Sequence, residues 1–207
     1  MSAELENNAR VDCYLASSSP RRKALLEQIG VRFSVIPAAV DESSGIDEDV
    51  VAFVSRLAQE KARAGWQLAV DTFGKENSLP VIGADTCGEL DGRILVKPEN
   101  RQNAVEMLTL MSGREHRVFS AVSIYDGIKQ ETLVSETRVF FRQLSAREIE
   151  KYCATKEPID KAGSYAIQGK GAVFVNRIEG SYSGVVGLPL AETSQLLSLF
   201  AVPIWVT

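Results

Sequence analysis

Histidine is all but missing from this chain: His116 is the only one in 207 residues. A Ser-His-Asp triad therefore has a single possible base, and the paired histidines of an H-E-x-x-H zinc site are not there. His116 lies in "REHRVFSAV", at a loop-to-strand transition, where a structural role is expected rather than a catalytic one. Cysteine is scarce as well. Cys13, Cys87 and Cys153 are odd in number and far apart, with no C-x-x-C, which argues against a disulfide or zinc framework. Reduced thiols in a cytoplasmic protein are the expectation. No basic excess exists either: the net charge is −4 and the pI about 5.2. Duplex nucleic acid meets no global positive field, so any anion site must be local. The apolar tail "LSLFAVPIWVT" is too short to span a bilayer and is interrupted by Pro203; it is expected to pack as a final strand or against a second subunit. "MSAELENNAR" has no apolar h-region, so no secretory signal is read there. Residues 1–11 are expected to be a flexible extension of a single domain spanning 1–207. Repeats, low-complexity tracts and long linkers are missing. "GKG" at 169–171 lacks the spacing and the following Ser/Thr of a Walker A loop, which excludes a P-loop kinase.

What is present suits a core-forming domain, with 45% hydrophobic and 24% charged residues. The run at 13–16 reads as a buried strand feeding "SSSPRRKALLEQIG". There Ser19 can cap a helix, Pro20 suits its first position and Gly30 can close it. "RFSVIP" reads as a strand, and Asp47 can cap the long helix that follows, striped by Val50, Val54, Leu57 and Ala58. "LPVIGADTCGELDGRILVKP" predicts two strands turning at Asp91–Gly92. A helix closed by Gly113 follows, then two strands around Asp126–Gly127. "SAREIEKYCA" carries a capping box, Ser145 and Glu148. A glycine-rich loop, a strand and the helix "LPLAETSQLLSLF" complete the chain. The pattern predicts an α/β fold: a mixed twisted sheet flanked by helices, with a cleft between two lobes.

Several residues break the local rules. Arg21, Arg22 and Lys23 crowd a helix start, where dipole and free N–H groups are already positive; an anion is wanted there. Lys61 falls on the apolar stripe, four residues after Leu57. A lysine snorkelling at the stripe's edge is the plain reading; a cation facing a cleft is the functional one. Asp85 ends the apolar run "PVIGA" and is read as the end of a buried strand, where a carboxylate is costly unless paired, hydrogen-bonded or metal-bound. Lys97 ends the next strand at "LVKP". Asp41 and Glu42 occupy an acidic loop. Cations suit a polyphosphate, while the carboxylates suit a hard ion such as Mg²⁺, so phosphoanhydride hydrolysis fits this constellation best.

In sequence order, "LASSSPRR", "VDE", "LAQEKA", "GADT", "KP", "SGREHRV", "DKAGSYAIQG" and "GSYSGVVGLPL" closely resemble the Maf family of nucleoside triphosphate pyrophosphatases. Departures are Ser120 where threonine is usual, Cys87 where an aliphatic residue is common, and the extended N-terminus. The resemblance implies an inosine-triphosphatase-like α/β architecture, a divalent cation (Mg²⁺ or Mn²⁺), a cytoplasmic homodimer and cleavage between the α and β phosphates. It assigns Asp85 as the catalytic aspartate, Glu42 with Asp85 as the acids near the metal, and Ser17, Arg22, Lys61 and Lys97 as phosphate ligands. Specificity is assigned to Arg21, Thr86 and Gln168, in the combination of the branch acting on dTTP and UTP. Chemistry agrees, because an amide offers a donor beside an acceptor, matching the N3–H and O4 of uracil or thymine. The cationic ring of 7-methyl-GTP, favoured by another branch, wants a carboxylate and an aromatic face instead. Alternatives are a 7-methyl-GTP or broad nucleotide pyrophosphatase, or a regulator of septum formation that binds nucleotide without turnover.

Overall fold

The computed structural model describes residues 11–43, 45, 48–155 and 157–206. The N-terminal segment 1–10 and Asp47, named above as a helix cap, lie outside them. Seven strands form one mixed sheet in the order β2-β1-β3-β5-β6-β7, with β4 on β3. They are β1 (Cys13–Leu15), β2 (Phe33–Val35), β3 (Val81–Leu90), β4 (Arg93–Leu95), β5 (Glu115–Tyr125), β6 (Gln130–Phe141) and β7 (Val175–Glu179). Among the described residues six α-helices accompany them: α1 (Pro20–Gln28), α2 (Val50–Phe73), α3 (Arg101–Met111), α4 (Ala146–Cys153), α5 (Tyr182–Val186) and α6 (Leu190–Leu199). The predicted mixed α/β architecture is the observed one.

The sheet is parallel where β1 meets β2 and β3, and antiparallel elsewhere. The β3–β4 hairpin turns at Asp91 and Gly92, whose φ angles of 54° and 80° are those of a two-residue turn matching strand twist. One feature of β3 decides where the site lies. On one side it pairs with β5 from Val81 to Glu89. On the other, β1 covers only Val81 and Ile82, and β4 only Gly88 to Leu90. Between them, residues 83–87 have no strand partner on that side among the described residues, and the sheet is split.

The cores sit around this split. Ile82 and Ala84 of β3 pack with Leu25 and Leu26 of α1 and Leu196 and Leu197 of α6. On the opposite face Cys87, Phe119 and Ala121 pack under Phe53, Val54 and Leu57 of α2. Beyond β4, Leu90, Leu95 and Val118 join α3 and α4 through Leu108, Met111 and Ile149 in a separate cluster. Burial of such clusters, at roughly 25 cal/mol per Å² of apolar surface, is the main favourable term in holding the halves together.

Three local readings are corrected by the structure. Ser19 stands at the N-cap of α1, but its side chain makes no capping bond; instead the Ser17 hydroxyl accepts from Ser19 N at 3.2 Å. Asp49 caps α2, accepting from Val51 N and Ala52 N. Among its described residues the tail adds no strand. It turns back instead, with Trp205 N and Val206 N donating to the carbonyls of Ile29 and Gly30 just past α1. Gly30, at φ 66°, closes that helix as its sequence suggested.

Candidate active site

Asp85 does not end a strand. It stands midway along β3, because pairing with β5 carries the strand on through Thr86, Cys87, Gly88 and Glu89 to Leu90. The apolar run stops at Asp85 for a different reason: this is where the sheet splits and the strand borders a cleft. Side chains alternate across a strand, so Gly83 and Asp85 face α2 while Thr86 faces the other way. The two faces meet through the split in a cleft of about 720 Å³.

The α2 face carries the acids. Lys61 lies on the apolar stripe with Val54, Leu57 and Ala58, is 7% exposed, and reaches the cleft. Its Nζ donates to Asp85 Oδ1 and to Glu42 Oε1, both at 2.7 Å. The helix sits close because residue 83 is glycine. A Cβ there would collide with the backbone oxygen of Ala58 and the backbone nitrogen of Ala62. Glu42 is half-exposed, and the hydrogen bond from Lys61 holds its carboxyl below the usual glutamate range. Lys97 Nζ lies 3.7 Å from Glu42 Oε2 and is 63% exposed, so this pair is worn by solvent and contributes little to stability. No described residue donates to Asp85 Oδ2.

The other face carries the serine loop and α1. Arg22 donates from Nε to the Gly187 carbonyl at 2.8 Å and from Nη1 to the Ser17 hydroxyl at 3.2 Å. Burial pulls its guanidinium below the ordinary arginine value, while Asp85 and Glu42 pull the other way. α1 has no acidic residue in its first turn, and Pro20, Arg21 and Arg22 of that turn line the cleft. Thr86 Oγ1 shares a 2.8 Å hydrogen bond with Ser120 Oγ and lies 3.4 Å from the Gly187 carbonyl. Ser120 in turn donates to the Gly184 carbonyl at 2.7 Å.

The nine residues to which the family resemblance assigns a role border this one cleft: Ser17, Arg21, Arg22, Glu42, Lys61, Asp85, Thr86, Lys97 and Gln168; Lys23 and Asp41, also singled out in the sequence, do not line it. Sequence reasoning did not single out the Gly187 carbonyl, on which Arg22 and Thr86 converge, and a backbone acceptor leaves no mark in a sequence. Ser120 was noted only as a departure from the family pattern. It touches Thr86 directly and keeps the hydroxyl that threonine would supply. The other departure, Cys87, also borders the cleft, but burial pushes its thiol up to about 12, so it stays protonated and unreactive. His116 reaches the same cleft wall, with Nε2 2.9 Å from the Tyr165 hydroxyl. Burial lowers its pKa to about 4, so the ring is neutral near pH 7.

Among the described residues no group of three or more His, Cys, Asp or Glu is placed to hold a metal ion. Asp85 and Glu42 supply two carboxylates, both already on the Lys61 ammonium. That donor set fits Mg²⁺, which is commonly held by one or two carboxylates with substrate phosphate and water completing the shell.

The fold is that of an α/β protein whose sheet is split by one cleft, with arginines and lysines around it and a lysine-bridged pair of acids within it. The particular family follows from comparison. The chain belongs to the family of Maf-like proteins, whose model matches residues 12–200. It is 50% identical over 193 residues to a dTTP/UTP pyrophosphatase of Alkalilimnicola ehrlichii, covering 93% of this chain and 95% of that one. It is 50% identical over 194 residues to the dTTP/UTP pyrophosphatase of Chromobacterium violaceum (94% and 96% covered). With that of Pseudoalteromonas atlantica it shares 52% over 184 residues (89% and 94%). Among solved structures, the Staphylococcus aureus Ham1 protein overlaps 62% of this chain and 71% of its own at 14% identity, with a TM-score of 0.37. No helix among the described residues is long and apolar enough to cross a membrane.

Proposed function

We propose that this protein hydrolyses dTTP and UTP to the nucleoside monophosphate and pyrophosphate. The observation that carries the reading is the Lys61 bridge, which holds Asp85 and Glu42 together on the floor of a cleft bordered by Ser17, Arg22 and Lys97. Relatives half identical over nearly their whole length bear the dTTP/UTP pyrophosphatase name, which supports the same substrates here.

In this mechanism the triphosphate tail enters between the serine loop and the lysines. Arg22, Ser17 and the first N–H groups of α1 take phosphate oxygens on one face, and Lys61 and Lys97 take them on the other. A water beside Asp85 Oδ2 gives its proton to that carboxylate as its oxygen bonds to the α-phosphorus. The bond from the α-phosphorus to the bridging oxygen breaks, and its electron pair leaves with pyrophosphate. Developing charge on that oxygen is met by fixed cations rather than by reorganising solvent, which is where most of the rate gain is expected. A divalent cation held by Asp85 and Glu42 would supply further charge neutralisation at the phosphates. At the base end, Arg21, Thr86 and Gln168 select the nucleotide, and the free amide of Gln168 pairs with the N3–H and O4 of the pyrimidine.

The test is a substrate panel with Mg²⁺ or Mn²⁺, with products identified. dTTP and UTP are expected to yield monophosphate and pyrophosphate one to one, faster than 7-methyl-GTP. Orthophosphate as the first product, a preference for 7-methyl-GTP, or binding without turnover would each overturn the reading. We further propose a cytoplasmic location, supported by the three buried free thiols, and a homodimer, supported by the family resemblance alone. Sedimentation at the mass of a single chain would overturn the dimer.

A further inference from the structure

Gln168 lies on the irregular segment between Tyr165 and Lys170, exposed to the cleft, and its amide makes no hydrogen bond to any described residue. A side chain meant to read a base by two hydrogen bonds must nevertheless be held within a fraction of an ångström. What holds the segment is a polar pair behind it. The Tyr152 hydroxyl, on α4, donates to Glu157 Oε1 at 2.9 Å and accepts from Ala166 N at 3.3 Å. The Glu157 carboxylate also accepts from Gly171 N at Oε1 and Lys170 N at Oε2, both at 3.1 Å. The chain is thus gripped two residues before Gln168 and again two and three residues after it. Gly169 N closes the intervening turn onto the Ala166 carbonyl at 3.1 Å.

The packing leaves no slack. A Cβ at Gly169 would sit 2.6 and 2.7 Å from the two Glu157 oxygens, and one at Gly171 would lie 2.9 Å from the Tyr152 hydroxyl. Tyr152 is itself fixed edge-on against Phe174, with ring centroids 4.9 Å apart. Burial raises the Glu157 carboxyl, but the two backbone N–H groups and the Tyr152 hydroxyl outweigh it and keep the acid ionised. A charged acceptor taking two backbone amides makes a stronger grip than a neutral one.

We propose that Tyr152 and Glu157 are positioning residues for Gln168, so that pyrimidine preference depends on a clamp that never touches the nucleotide. The inference rests on the proposed role of Gln168 in base selection. It is tested in the full-length protein with Tyr152→Phe and Glu157→Gln, each alone and each combined with Gln168→Ala, and with wild type alongside. The readouts are kcat and KM for dTTP and 7-methyl-GTP, inhibition by pyrophosphate, and thermal melting.

Each clamp variant is expected to raise the KM for dTTP by about three- to tenfold, the scale of one lost hydrogen bond. The kcat and the inhibition by pyrophosphate should hardly move, because the phosphate end is untouched, and the dTTP to 7-methyl-GTP ratio should fall. In the Gln168→Ala background the same substitutions should leave that ratio where Gln168→Ala already put it. A ratio that drops equally in both backgrounds, or lowered melting with an unchanged ratio, overturns the clamp. If Gln168→Ala shifts the ratio but neither clamp variant does, the clamp fails and the role of Gln168 stands. If Gln168→Ala itself leaves the ratio unchanged, the base-selection role fails and the clamp with it. Neither result bears on whether wild type releases pyrophosphate from dTTP.

Discussion

The two ends of the cleft are built by different means. At the acid end Asp85 and Lys61 project from the middle of long regular elements, β3 and α2, each nearly buried and bonded to the other at 2.7 Å, and Glu42 joins them from a loop. At the proposed base end Gln168 rides on a segment without strand or regular helix, exposed and free at its tip, its backbone held by the Tyr152–Glu157 pair behind it, by the Gly169–Ala166 turn bond and by the buried Ile167 beside it. In the proposed mechanism, chemistry that must be the same for every nucleotide falls where packing leaves one geometry, and selectivity falls where a few hydrogen bonds can be changed without disturbing the sheet.

Breaking the acid end should cost most. Lys61→Gln removes the cation shared by Asp85 and Glu42 and leaves two carboxylates facing each other. Turnover should fall by about 10² or more, and stability by about 3 kcal/mol at neutral pH, since one member of a nearly buried pair is lost. The pH dependence has a definite sign. Lys61 holds the Glu42 carboxyl below its ordinary value of 4.5, so the pair's contribution is complete above that value and is lost as pH falls beneath it. Melting of wild type and Lys61→Gln from about pH 7 to about pH 3 should therefore show curves that converge toward acid. Equal separation at every pH would contradict the pair.

The next largest effect tests the scaffold rather than the chemistry. Gly83→Ala must push α2 off β3, and a loss of about 2 to 3 kcal/mol is expected, or roughly 5 to 10 °C in melting for a chain of this size. Activity should fall with it, because Lys61 and Asp85 are carried on the two elements being separated. A variant as stable and active as wild type would show that the close approach does not position the acids.

The smallest effect is expected from His116→Gln. The ring is neutral and bonded to Tyr165, so the pH–rate profile should keep its shape near pH 6 to 7. Disappearance of a limb there would move the proton chemistry from Asp85 to His116.

The same contrast governs how much of the molecule could be read in its sequence. Lys61 was legible because a helical stripe of Val50, Val54 and Leu57 predicts an apolar residue there, and a lysine breaks the rule. Asp85 was legible as an interruption but was misplaced at a strand end. β3 continues through Gly88 and Glu89 to the turn at Asp91–Gly92; Glu89 stays buried because Arg117 on the neighbouring strand pairs with it at 2.6 Å and Gly92 N donates to it. Long-range partners of that kind are invisible to periodicity. The clamp was hidden for a similar reason: Tyr152 reads as an ordinary apolar position of α4, and Glu157 as a loop acid. Their partners are backbone groups about fourteen residues away in the chain.

The central claim is that Asp85, held by Lys61, takes the proton of the attacking water. It is tested most directly by Asp85→Asn, which keeps the shape of the side chain and removes the basic oxygen. Pyrophosphate release from dTTP at saturating substrate and cation should fall by about 10² to 10⁴, while dTTP binding measured by calorimetry persists. Turnover within a few-fold of wild type would contradict the account.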